Sequence, residues 1–303
     1  MNLRRRAMFA GLCLCCLGAD RPFGLVQVAP GLHVRRGVDE DARRDNQDAI
    51  ANIGFIEGRD AILVTDPGGC LADGDALRAA IRGLSDKPIR YVLLSHIHPD
   101  HIFGAGAFRQ DNPVFVGHAN LPQALAARGA FYQSHLDDVL GHGQAGPLVQ
   151  PALTVATTHE IDLGDRRLTL TAHPPAHTST DVSLFDHATS TLLPADLLFV
   201  GRVPSLDGSL HGWLAELTAL AASGAARAIP GHGPVSVDFT AAAAPLIRYL
   251  TALRDQTRAA IAAGIGIAAA SNTVARSERA AWKLFDDYNA RNVTEAYKEL
   301  EWE

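Results

Sequence analysis

The sequence predicts a mixed α/β fold, and three kinds of segment carry that expectation. Short apolar runs of buried-strand type, such as Ile89 to Leu94, alternate with stretches whose apolar residues recur at helical spacing, such as Leu77, Ile81 and Leu84. Turn-forming clusters such as Asp66-Pro67-Gly68-Gly69 punctuate them. With 303 residues and 47% hydrophobic content, the chain can bury one large domain plus an appendage, or two modest domains.

The N-terminus reads as an address rather than as structure. Arg4, Arg5 and Arg6 precede an apolar stretch from Ala7 to Leu17, then the small residues Gly18 and Ala19 and the polar Asp20. This is the layout of an export signal over residues 1–19, followed by a periplasmic or secreted protein with no stable membrane insertion. The stretch is shorter than the about 20 residues a spanning helix needs. Arg5-Arg6-Ala7-Met8-Phe9 loosely resembles a twin-arginine signal. Cys13, Cys15 and Cys16 fall inside it, which leaves Cys70 alone and predicts no intrachain disulfide. Cys70 itself reads as a small residue in a turn.

The elements follow in order. Ala51 to Phe55 and Ala61 to Val64 read as paired strands around the turn Glu57-Gly58-Arg59-Asp60. Leu77, Ile81 and Leu84 mark an amphipathic helix with Asp73 and Asp75 near its positive end. A further helix covers Leu121 to Arg128, and Leu168, Leu170 and Ala172 alternate as a half-buried strand. Val182 to Phe185 and Thr191 to Leu193 are strands about a turn, Leu214 to Ala221 is helical, and Ala228-Ile229 is a short strand. From Ala241 the texture turns to Ala-rich helix with Leu246, Leu250 and Leu253 on one face. A break at Gly264–Gly266 precedes terminal helices carrying Trp282, Phe285 and Tyr288. The expected division is a main domain over 20–240 and a helical extension over 241–303. No repeat of fixed period is visible, though the stretches before and after residue 150 are compatible with two similar halves.

Charge narrows the function. The balance is −6, and no polybasic run follows residue 6, which disfavours a nucleic-acid partner. The chemistry concentrates in Ser95-His96-Ile97-His98-Pro99-Asp100-His101, directly after the buried-strand run. Neutral imidazole and carboxylate are the usual zinc donors, and a strand end followed by a loop can fan them around a metal. Pro99 would stop the strand and turn the chain.

His96-x-His98-x-Asp100-His101 resembles the HxHxDH signature of the metallo-β-lactamase superfamily. Pro175-Ala176-His177-Thr178, Asp196 in Leu193-Pro194-Ala195-Asp196-Leu197, and Pro230-Gly231-His232-Gly233-Pro234 resemble its later motifs, over roughly Val26 to Pro234. The resemblance implies a four-layer αβ/βα sandwich with the site at one edge of two sheets. It implies that His96, His98 and His177 hold one zinc, that Asp100, His101 and His232 hold a second, and that Asp196 bridges them. Asp66 would buttress the histidine loop. His173 is a rival to His177, but the Pro-x-His-Thr context favours His177. His118, His135 and His142 fall in the segment that by resemblance forms one wall of the cleft, and are left out of the site. Phe103-Gly104-Ala105-Gly106, Val116 to Leu121 and the terminal Arg291 to Trp302 are similar to exported zinc metallohydrolases of quinoprotein (pyrroloquinoline-quinone) dehydrogenase systems, including the SoxH-like branch. That implies a functional link to a periplasmic quinoprotein dehydrogenase.

The expectation is therefore a dinuclear zinc hydrolase of an ester, thioester, lactone or related small acyl substrate. A metal-bridging hydroxide would attack while Asp100 orients it. Two alternatives stand beside it: a mononuclear iron persulfide dioxygenase on the same scaffold, and a non-catalytic module that binds a metal or quinone for a dehydrogenase. One scaffold serves many substrates, so the substrate stays open at this stage.

Overall fold

In the computed structural model the described residues are 23–303, so the export signal expected over 1–19 lies outside them. The first sheet is built in chain order from β1 (Leu25–Ala29), β2 (Leu32–Arg35), β3 (Ile53–Glu57), β4 (Ile62–Thr65), β5 (Ile89–Leu94), β6 (Val114–His118) and β7 (Leu153–Val155). Strands β1 to β4 are antiparallel neighbours, while β4 to β7 are parallel. Parallel neighbours need crossovers, and these are helical. Helix α1 (Leu71–Leu84) joins β4 to β5, α2 (Pro99–Ile102) with the 3-10 stretch Phe103–Asp111 joins β5 to β6, and α3 (Leu121–Leu140) joins β6 to β7.

The second sheet has the order β12-β11-β10-β9-β8, made from β8 (Thr158–Asp162), β9 (Arg167–Ala172), β10 (Val182–Asp186), β11 (Thr191–Phe199) and β12 (Arg227–His232). Only β11 and β12 are parallel there, connected by α4 (Leu210–Ala221). Helices α5 (Phe239–Ala262), α6 (Ile267–Thr273) and α7 (Phe285–Leu300) complete the chain.

Residue alternation assigns the layers. In β4 and β5, Ile62, Val64, Val92 and Leu94 face α1 and α3 with Leu77, Ile81 and Leu125. Leu63 and Leu93 face the other way and meet Leu168, Leu170, Val182 and Leu184 of the second sheet. Strands buried on both faces read as continuous apolar runs, which is why Ile89 to Leu94 is legible as one. On the far face of the second sheet, Leu192, Leu197 and Phe199 pack with Trp213 of α4 and with Tyr249, Leu250 and Val293 of α5 and α7. The result is helix, sheet, sheet, helix: the four-layer αβ/βα sandwich. Residues past 240, expected as an extension, supply much of that fourth layer.

Several local expectations shift. The helix expected to stop at Arg128 runs to Leu140, because Leu136 and Leu140 continue its buried stripe. Leu84 is 58% exposed, not on the buried face of α1. That face instead closes through Gly74 against Gly104, where a Cβ on Gly74 would collide with the Gly104 carbonyl. Asp73 does lie in the first turn of α1, but it is buried and paired with Arg35 at 3.0 Å. Among the described residues no helix is long and apolar enough to cross a membrane.

Candidate metal centre

The site forms where the parallel strands of both sheets end. Strands β4 and β5 are neighbours, so Asp66 and Ser95, one residue past each, meet. The Ser95 amide and hydroxyl both donate to the Asp66 carboxylate at 2.8 Å. His101 Nδ1–H donates to the same carboxylate at 2.8 Å. Asp66 holds φ +59°, a left-handed conformation that costs a non-glycine residue about 1–2 kcal/mol. Thr180 Oγ1 accepts the Ile97 amide at 3.1 Å and fixes the loop from the second sheet. Pro99 then opens α2, where its missing N–H costs nothing, and the turn presents Asp100 and His101.

The later residues come from the second sheet. His177 sits in the β9–β10 loop, which Asp181 closes by accepting from the Thr178 amide and hydroxyl at 2.8 and 2.7 Å. Asp196 lies inside β11 and follows Ala195, which also adopts a left-handed φ of +48°. The β11–β12 register shifts on both sides of Ala195, so the strand bulges and turns Asp196 into the site. His232 ends β12, and its Nδ1–H donates to the Ile50 carbonyl at 2.9 Å. Asn52 clamps this last loop to the first sheet by donating to the carbonyls of Pro230 and Gly233 at 2.8 and 3.1 Å.

All seven residues expected as ligands converge, in two groups: His96, His98, His177 and Asp196, and Asp100, His101 and His232. In the first, His98 Nδ1 lies 3.2 Å from His96 Nε2 and 3.0 Å from His177 Nε2. Asp196 Oδ2 lies 3.7 and 3.4 Å from the nitrogens of His96 and His177. In the second, Asp100 Oδ2 is 3.4 Å from His101 Nε2 and 3.3 Å from His232 Nε2. Asp196 reaches this group too, with Oδ1 at 3.1 Å from His101 and Oδ2 at 3.3 Å from His232. A tetrahedron of donors at the about 2.0–2.1 Å of a zinc–nitrogen bond has edges of roughly 3.3–3.4 Å. The separations here scatter around that edge.

The donor chemistry agrees. His101 Nε2 and Asp196 Oδ1 are buried without a hydrogen-bond partner, a costly condition unless a cation completes them. The outward nitrogens of four histidines are held instead: His96 by the Ser95 hydroxyl, His98 by Asp207 at 3.2 Å, His101 by Asp66 and His232 by Ile50. Such partners fix the tautomer and aim the free lone pair inward. Burial keeps His177 neutral, pushed down to about 3, and lowers His96 well below its usual value with the positive field of His101 adding to it. Burial would raise the Asp196 carboxyl, but His232 and His101 hold it well below the usual carboxylate range. Burial likewise opposes ionisation of Asp100, and His101 and His232 override it. His101 and His232 are instead pushed up, against their burial, by the neighbouring carboxylates, so protons on these two imidazoles balance Asp100 and Asp196, a role that divalent cations would take over as they bind and displace those protons. The residues present fit a pair of such cations.

The tempting histidines fall elsewhere. His173 is spent on Glu216 at 2.6 Å and the Ser183 hydroxyl at 2.8 Å, and His118 on the His173 carbonyl at 3.2 Å. His142 is on the surface, whereas His135 lines the cleft. Cys70 is buried, and that burial pushes its thiol up to about 11, which leaves no thiolate for chemistry at neutral pH. The cleft above the centre measures about 310 Å3, with Asp100, Asp196 and His232 on its floor. Its walls include Tyr132 and Leu136 of α3, and Arg202, Tyr288 and Arg291. Sequence reasoning missed Asn52, Arg202 and Asp207. Arg202 had one faint signal, a lone charge in Val200-Gly201-Arg202-Val203-Pro204; Asn52 and Asp207 had none.

Fold and site together define a two-sheet α/β protein with two adjacent groups of candidate metal donors that share a carboxylate. The sequence profile of the metallo-β-lactamase superfamily matches residues 47–232. The chain belongs to that superfamily, most of whose members are hydrolases. It is 30% identical to the acyl-coenzyme A thioesterase MBLAC2 of Homo sapiens over 54% of this chain and 61% of that one. It is 29% identical to a linear primary-alkylsulfatase of a Pseudomonas species over 35% of this chain and 18% of that one. The chain thus spans less than two thirds of either relative. The metallo-β-lactamase of Pontibacter korlensis shares the fold with a TM-score of 0.60 at 16% identity, over 75% of this chain and 98% of that one. The sec-alkylsulfatase Pisa1 of a Pseudomonas species does so with 0.70 at 15% identity, over 91% of this chain and half of that one.

Proposed function

We propose that the protein is a dinuclear zinc hydrolase of ester-type bonds, acting on carboxylic esters, thioesters, lactones or sulfate esters. The observation that carries this reading is the carboxylate of Asp196 standing between two complete donor groups at the floor of an open cleft. Two zinc ions held there would supply a hydroxide at neutral pH and polarise the bond to be cleaved. Asp100 is an ionised carboxylate on the cleft floor, placed to accept a hydrogen bond from the nucleophile and so to orient it. His98 is kept in one tautomer by Asp207, which also takes an ion pair from Arg128 at 2.7 Å. Acyl thioesters and alkyl sulfates are favoured within this class, because the relatives are named for those bonds.

The intact group of Asp100, His101 and His232 supports two metals over the single iron of a persulfide dioxygenase. It also supports catalysis over a passive binding module. Export through residues 1–19 and service beside a quinoprotein dehydrogenase belong to the same proposal. N-terminal sequencing of protein secreted by a native-like host tests the export part.

The deciding experiment is a substrate panel, from acyl-coenzyme A and alkyl sulfates to lactones and β-lactams, against protein of measured metal content. About two zinc ions per chain and turnover of at least one ester-type bond are expected. One iron per chain with oxygen uptake on a persulfide would overturn the reading.

A further inference from the structure

Arg128 lies half-buried on α3, and its guanidinium turns onto Asp207 in the segment between β11 and α4. Arg128 Nη1 donates to Asp207 Oδ2 at 2.7 Å, and His98 Nε2–H donates to that same oxygen at 3.2 Å. The guanidinium also bonds the hydroxyl of Tyr132 and lies over its ring, 5.0 Å from the centroid. Among the described residues Asp207 is the one carboxylate that Arg128 pairs with. The nearby Glu295 of α7 is taken by Lys298 at 2.9 Å.

Arg128 is not needed to place Asp207. The Asp207 amide donates to the His177 carbonyl at 2.9 Å, and the Ser209 amide to the Ala176 carbonyl at 2.8 Å. Between them, a Cβ on Gly208 would collide with the carbonyls of Ala176 and Thr178. The main chain therefore pins Asp207 against the loop that carries His177. As a strut, a half-exposed ion pair contributes little to stability.

What Arg128 changes is the strength of the carboxylate. A carboxylate behind a ligating imidazole raises its basicity and tightens the metal. A cation on the same oxygen draws that charge away, and the 2.7 Å contact is the shorter, charge-assisted one of the two. The other donor group supplies the contrast. Behind His101 stands Asp66 at 2.8 Å, and the remaining partners of that carboxylate are the amide and hydroxyl of Ser95, with no cation among them.

We propose that Arg128 is a positioning residue that acts through Asp207 to weaken His98 as a donor, so that the metal held by His96, His98 and His177 is loosely bound and electron-poor. This deepens the hydrolase reading and rests on it for the use of such a metal, which is to polarise the bond that is cleaved.

Competition with a chromophoric chelator measures both zinc-binding steps on the full chain. Arg128→Met should tighten one step by at least about threefold, a part of the roughly 10–100-fold effect that partners behind ligating histidines carry. A residue that merely braced the wall would loosen zinc when lost, or leave it unchanged. Arg128→Lys should return the affinity towards wild type. Asp207→Asn should weaken the same step by about tenfold. Arg128→Met added to Asp207→Asn should then change nothing, because the carboxylate through which the cation acts is gone. Arg128→Gln serves in the same cycle if Arg128→Met does not fold. Zinc bound no more tightly by Arg128→Met, or a tightening that survives in the Asp207→Asn background, overturns the proposal. With zinc saturating, kcat for ester-type turnover should fall several-fold in Arg128→Met, and a rate that fails to fall overturns it equally. Turnover absent from wild type, with the Asp207-dependent tightening intact, would sink the hydrolase reading and spare the role of Arg128; turnover without the tightening would do the reverse.

Discussion

Gly231 presses against Asp196: a Cβ on Gly231 would overlap Asp196 Oδ1 and crowd the backbone of Ala195. Glycine is required here because the carboxylate shared by both donor groups occupies the space a side chain would fill. Gly231→Ala should therefore push Asp196 out of line without deleting any donor. Zinc content is expected to fall below two per chain while the fold, read by far-UV circular dichroism, persists. Full zinc occupancy in that variant would show that the overlap is relieved elsewhere.

Asp196 and Asp100 should fail differently when changed. Asp196→Ala removes a donor from both groups, so metal content should drop to one zinc or fewer and the melting temperature with it, since metal binding is coupled to folding. Asp100→Asn keeps an oxygen of similar shape but loses charge and basicity. It should retain much of its metal and lose turnover by roughly 10²–10⁴, the scale of a positioned acid–base group. Metal analysis and kcat on both variants check this, and a normal rate in Asp196→Ala would require the centre to be redrawn.

Asp66 touches no metal in this reading, yet it holds both Ser95 and His101. Asp66→Ala should weaken zinc at the Asp100–His101–His232 group by about 10–100-fold, the usual effect of losing a partner behind a ligating histidine. Competition with a chromophoric chelator measures it. Equal affinity in wild type and variant would mean that the loop is held by other contacts.

Asn292 of α7 accepts the Leu206 amide at 2.9 Å and donates to the Pro204 carbonyl at 2.7 Å and the Tyr249 hydroxyl at 2.9 Å. Asn292→Ala strands several buried polar groups, each costing about 1–3 kcal/mol when unpaired. A fall in urea midpoint should accompany weaker zinc at the His98 group, because Asp207 adjoins the released Leu206. Stability loss with unchanged zinc affinity would separate α7 from the site.

Chelation by itself is expected to lower the melting temperature, because the converging imidazoles and carboxylates would be left buried without their cations. Zinc should restore it. A melting temperature indifferent to metal would argue that the groups are held apart from any ion.

Much of the site was legible before the fold was known. Three histidines and an aspartate after one buried strand form a local cluster, because one strand end presents them all, and local clusters leave local signatures. Short strands such as β1, β2 and β6 were not read, since four or five residues at an edge or beneath a helix carry too little periodicity. The far end of α3 was missed for a related reason: its alternation of Leu136, Val139 and Leu140 with Asp137 and Asp138 speaks for helix only once a core is present on one side.

By itself the sequence determined the α/β alternation, the donor types and the order in which they arrive. The division of those donors around Asp196 was implied by the resemblance, but only tertiary structure shows what positions Asp196 between them: the β11 bulge at Ala195 and the glycine opposite it. Tertiary structure alone brought Asn52 under the last histidine loop, Asp207 behind His98 and Arg202 beside Asp41 and Tyr288. Those pairs join residues far apart in the chain, and the packing of layers that brings them together leaves no periodic trace between them.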